Sequence, residues 1–213
     1  MKYICIGLSF LVLIACHSAT AKELELEYKS FYSHVRKLDN DQMNLLQFSF
    51  GFQHIETGKL CEIKTARIST QKQQIPITIS SENRFNLPKE RVLKLADAKV
   101  ILELVEATNK CDMSVQLETK NEVLKSTYTQ QELTALFTQY ATFFEDMGGF
   151  LSFMMPSVEG LVFHFEEGDY RTLNDGFEVS NGRLEMNEQQ LMSVESLVLN
   201  EKPLRITALT QSL

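Results

Sequence analysis

Only one stretch of this 213-residue chain carries a sustained helical period, and short segments of alternating apolar and polar residues surround it. Leu133, Leu136, Phe137, Tyr140, Phe143, Phe144 and Met147 recur at spacings of three and four, which places them on one stripe of a helix over about 130–147. Thr129-Gln-Gln-Glu132 supplies a capping box at its start, and Gly148-Gly149 supplies a stop, since glycine takes the left-handed conformation without strain. Strands in series with short turns, and too few helices for alternating crossovers, argue against a parallel sheet. The expected fold class is α+β: a mainly antiparallel β-sheet with one long amphipathic helix packed on it and short helical pieces.

The strand signals are local. Phe48, Phe50 and Phe52 alternate with Gln47, Ser49, Gly51 and Gln53, the period-two pattern of a half-buried strand. Glu56-Thr-Gly-Lys59 is a turn signal, which predicts a hairpin with a strand through Cys61. Further strands are expected at 24–28, 75–79, 100–105, 111–119 and 160–165, with helical turns near 30–38 and after Leu87-Pro88. The run Val100 to Val105 is apolar on both faces, which suits a central strand. Three segments, starting at Arg67, Arg183 and Ser196, share a loose template of strand, polar corner and strand. Three loose matches do not make a repeat protein.

The N-terminus carries an address. Lys2 precedes an apolar run from Tyr3 to Ala15, interrupted only by Ser9 and followed by Ala19-Thr20-Ala21. A basic start, an apolar centre and a small-x-small site make a secretory signal over 1–21, cut between Ala21 and Lys22. The run is shorter than the ~20 apolar residues a membrane span needs. Leu13-Ile-Ala-Cys16 also fits a lipobox, which would end the signal at residue 15 and leave Cys16 acylated on a membrane leaflet. The expected location is therefore periplasmic, with a membrane-anchored lipoprotein as the alternative. The mature chain, 22–213, is expected to be a single α+β domain, with a smaller C-terminal β unit at about 158–213 as the other division.

Charge and cysteines narrow the class further. The formal charge is −7, with 21 basic against 28 acidic residues and no basic cluster, which disfavours nucleic acid as a partner. Cys5 leaves with the signal, and cleavage after Ala21 leaves only Cys61 and Cys111. An even count in an oxidising compartment suggests a bridge. Cys111 shares an alternating face with Met113, Val115 and Leu117, and Cys61 shares one with Ile63. Two buried thiols or a redox pair are the alternatives, though no Cys-x-x-Cys is present.

Most catalytic signatures are missing from the sequence. His34, His54 and His164 fall in separate expected elements, with no His-Glu-x-x-His or Gly-x-Ser-x-Gly and no phosphate-cradling glycine pattern. No cofactor or metal is expected. His164, between Phe163 and Phe165, should face away from the core, with Glu166 and Asp169 as acid–base neighbours. A plain surface histidine explains the same residues better. Phe150-Leu-Ser-Phe-Met-Met-Pro156 reads either as a buried return under the helix or as a partner surface made by Phe150, Phe153, Met154 and Met155.

Leu26-Glu-Tyr-Lys-Ser-Phe-Tyr-Ser33, Cys61-Glu-Ile-Lys64, Ile75-Pro-Ile77, Cys111-Asp-Met-Ser114 and the Gly148-to-Pro156 segment together resemble a family of uncharacterised exported proteins of Gram-negative bacteria, a domain of unknown function. The resemblance covers nearly all of the mature chain and implies a secreted or periplasmic location with a paired-cysteine core. It brings no activity or site with it. The expected role is a non-catalytic envelope protein that binds a partner protein or envelope component. A periplasmic hydrolase with a dispersed active site and an outer-membrane lipoprotein anchored through Cys16 are the alternatives.

Overall fold

Period-two segments become antiparallel strands throughout the computed structural model, which describes residues 23–148, 157–168, 171–173 and 176–211. In chain order the elements are β1 (Glu23–Glu27), α1 (Tyr28–Val35), β2 (Leu46–His54), β3 (Ile63–Ser69), β4 (Gln74–Pro76), α2 (Arg91–Leu95), β5 (Lys99–Leu104) and β6 (Cys111–Thr119). There follow β7 (Thr127–Thr129), α3 (Gln130–Gly148), β8 (Val158–His164), β9 (Arg171–Thr172), β10 (Glu178–Val179), β11 (Arg183–Asn187), α4 (Glu188–Ser193), β12 (Ser196–Val198) and β13 (Arg205–Thr210). The class is α+β, with antiparallel sheets and one helix of 19 residues.

Three sheets make the frame. One has four strands in the order β1-β5-β3-β4, one pairs β2 with β6, and one has the order β11-β8-β13. β5 is central in the first, with Val100, Leu102 and Leu104 buried and the alternate residues half-covered. β6 runs beside β13, which sets the second and third sheets next to each other. α3 lays Leu133, Leu136, Phe137, Tyr140 and Phe143 into the core, and the Tyr140 hydroxyl donates to the Ile206 carbonyl at 2.6 Å while sharing a 3.1 Å bond with Thr119 Oγ1. One helix thus ties β6 to β13. A single hydrophobic cluster runs from Tyr28 to Ile206.

The expected capping box is present: Glu132 N donates to Thr129 Oγ1 at 3.3 Å and Thr129 N to Glu132 Oε2 at 3.0 Å. Met147, assigned to the apolar stripe, is instead exposed. No helix among the described residues is long and apolar enough to cross a membrane.

Two local expectations are corrected. The Glu56–Lys59 turn forms, with His54 N donating to Lys59 O and Cys61 N to Phe52 O, but this hairpin ends there. β3 leaves to pair with β5, and the long partner of β2 is β6. Of the three strand–corner–strand segments, only the one at Arg67 is a hairpin, with Ile68 opposite Ile75. The segment at Arg183 turns into a helix after Asn187, whose side chain accepts from Gln190 N while the Gln190 side chain accepts from Asn187 N, both at 2.9 Å. That reciprocal cap overrides the strand pattern. The segment at Ser196 is a strand only to Val198.

Candidate functional site

The polar face of the β2–β6 pair is the least ordinary surface of the fold. Phe48, Phe50 and Phe52 bury one face, as alternation requires. On the other, Gln47, Ser49, Gly51 and Gln53 stand in register with Glu118, Gln116, Ser114 and Asp112. Such a face normally meets water, yet Ser49 is only 2% and Glu118 only 5% exposed. Residues 82–86 reach over it. Phe85 pairs with Phe50 through two backbone bonds of 2.8 Å, which sets Arg84 and Asn86 on the polar side. The Arg84 stem crosses above Gly51, and its Nη2 donates to Ser114 Oγ at 3.4 Å.

Glu118 sits at the centre of this layer. Gln47 Nε2 donates to its carboxylate at 3.2 Å, and the Ser49 hydroxyl and Asn86 amide also donate to it. Burial nevertheless raises its pKa above the usual carboxylate value, outweighing those donors and the Arg84 charge. Asn86 Nδ2 also donates to the Phe48 carbonyl at 3.0 Å, standing where a neighbouring strand would otherwise pair.

A second cluster lies at the end of β8. Arg205 Nη2 donates to His164 Nδ1 at 3.1 Å, so the proton of the neutral ring resides on Nε2, which donates to Thr207 Oγ1 at 2.9 Å. Burial, then the charge of Arg183, lowers the His164 pKa to about 4. The other guanidinium nitrogen of Arg205 pairs with Glu82. His164 therefore does not face open water beside an acidic turn. Its ring is part-buried and held by Arg205 and Thr207, because β13 pairs along β8 and brings those side chains to the same face. Glu166 is exposed and makes no bond to it among the described residues, and Asp169 lies outside them. His34 packs edge-on against Phe48 and Phe50, and His54 accepts from Glu56 N.

Beside Glu118 the fold opens a cleft of about 250 Å3. Its apolar lining comes from Val35, Leu38, Leu46, Phe48 and Leu87, its polar wall from Gln47 and Asn86, and its charges from Lys89 and Lys120. Gln47 and Asn86 are two of the donors that hold Glu118, so the cleft and the buried acid share a wall. Sequence reasoning missed this site, since its residues come from four separated segments.

Cys61 and Cys111 form a disulfide with their Cα atoms 6.4 Å apart. It ties the return of the β2 hairpin to the first residue of β6. The Glu106 carboxylate lies within 4.8 Å of both sulfurs, but the bridge consumes both thiolates, leaving a single ligand for any metal. Met113 is exposed, so the alternating face that carries Cys111 does not extend into the core there. Cys16, Ala21 and Lys22 lie outside the described residues, and so do Phe150, Phe153, Met154 and Met155.

These features define an antiparallel α+β domain with a buried acidic centre and an adjoining amphipathic cleft. The chain belongs to a family described as protein of unknown function (DUF2987), whose model matches residues 20–165. No curated protein and no solved structure matches it. The matched span contains the whole cleft and Glu118, whereas Arg205 and Thr207 fall beyond it.

Proposed function

We propose that this chain is an exported, non-catalytic protein of the Gram-negative envelope that binds a partner or envelope component, and that it binds in the cleft between Leu38, Phe48 and Leu87. The cleft carries this reading: an apolar floor with polar groups at one wall is the usual form of a binding site. The basic start and apolar run before Ala21 support export, and so does a disulfide, which persists in oxidising compartments. A release site after Ala21 favours a periplasmic protein, and acylation at Cys16 is the alternative.

The hydrolase reading has one observation behind it, a carboxyl of raised pKa beside a cleft. Its weakness is equally specific. Gln47, Ser49 and Asn86 occupy the Glu118 carboxylate, and His164 presents a donor where a general base needs a lone pair.

Site-specific photocrosslinking in the native envelope tests the proposal. A photoreactive residue at Leu38 should give a discrete adduct that one at exposed Val198 does not. Equal labelling at both positions, or none at Leu38, overturns it.

A further inference from the structure

Resting on the binding role proposed above, we infer that the cleft takes a small monocarboxylate with an apolar body. Its size is the first constraint. At about 250 Å3 it falls just below the ~300–1,000 Å3 of pockets that hold drug-sized ligands, so the occupant is small. Its charge is the second. The chain as a whole is acidic, at −7, yet the ionisable side chains lining the cleft are both lysines. Lys89 is held by exposed Asp39 at 2.5 Å, while Lys120 pairs with no carboxylate among the described residues. An ammonium beside an apolar floor selects an anion whose remaining bulk is apolar, because each part then finds its complement.

The polar wall leaves the lysines as the anion's partners. Gln47 Nε2 is spent on Glu118 and Asn121 Oδ1, and Asn86 Nδ2 on the Phe48 carbonyl, so the choice of charge rests on Lys89 and Lys120. A cationic ligand would meet two lysines and find Glu118 already engaged. Asp39 then acts as a competitor: it pairs with Lys89 and must yield when a carboxylate enters.

Calorimetric titration of the folded protein with sodium octanoate, and with octan-1-ol as a neutral counterpart, tests the inference. Octanoate should bind one per chain and at least ten-fold more tightly than octanol. Lys120→Gln should weaken octanoate at least five-fold without changing octanol, and Asp39→Asn should tighten it by freeing Lys89. Equal affinity for octanol, an unaltered Lys120→Gln variant, or no octanoate binding by folded protein overturns the inference. If octanoate fails while the Leu38 crosslink persists, the ligand class is wrong and the binding role stands. If both fail, both fall.

Discussion

Arg84 crosses directly over Gly51: a Cβ at position 51 would lie 3.4 Å from Arg84 Cγ and 3.1 Å from the Asn83 carbonyl. The missing side chain is what lets the arginine span from the segment beside β2 to Ser114 on β6. Gly51→Ala should therefore destabilise by about 1–3 kcal/mol, the usual cost of forcing a methyl group into a filled space. Urea unfolding checks it, and a neutral outcome would mean that residues 83–84 move aside freely.

Tyr140 makes the bond that joins β6 to β13. Tyr140→Phe leaves the Thr119 hydroxyl and the Ile206 carbonyl without that partner in the core. The expected loss is about 1–3 kcal/mol, the desolvation cost of unsatisfied buried groups. Denaturant melts of the two proteins measure it.

The disulfide closes a loop with a sequence separation of 50. Chain entropy assigns such a bridge about 4 kcal/mol, by narrowing the unfolded ensemble. Paired Cys61→Ala and Cys111→Ala substitutions should lower the unfolding midpoint accordingly, and a reductant should shift only the parent protein.

His164 makes stability depend on pH. Its folded pKa, about 4, lies below the ordinary 6.5, so the fold favours the neutral ring. That contribution is complete above pH 6.5 and is lost as pH falls towards 4, to a total on the order of 3 kcal/mol. Thermal melts of His164→Gln across this window should show a shallower acid slope than the parent. Parallel slopes would remove His164 as the cause.

Glu118 acts in the opposite sense. Its folded pKa is raised above the ordinary 4.5, so the fold holds its proton more tightly and stability declines as pH rises past 4.5. Glu118→Gln should abolish that decline whatever its constant effect on stability. The difference between the two melting curves should therefore change between pH 4 and pH 7.

Much of the secondary structure was legible because its causes are local. The stripe from Leu133 to Phe143 and the Thr129–Glu132 cap define α3 from within about one turn of each residue. Cys111–Thr119 and the phenylalanine strand declare themselves by alternation alone. Alternation fails locally at Glu188–Ser193, where the Asn187–Gln190 capping box starts a helix.

By itself, the sequence determined the α+β class, the long helix, the principal strands and a cysteine pair suited to bridging. Alternation assigns Glu118 and Ser49 to a polar face and stops there. Whether that face is wet depends on residues 82–86, which return over it only because Phe85 pairs with Phe50. The same holds for His164, whose ring state follows from Arg205 and Thr207, set beside it by strand pairing. A residue's burial and ionisation belong to its neighbours in space, and contacts between distant segments leave no period in the chain for one sequence to display.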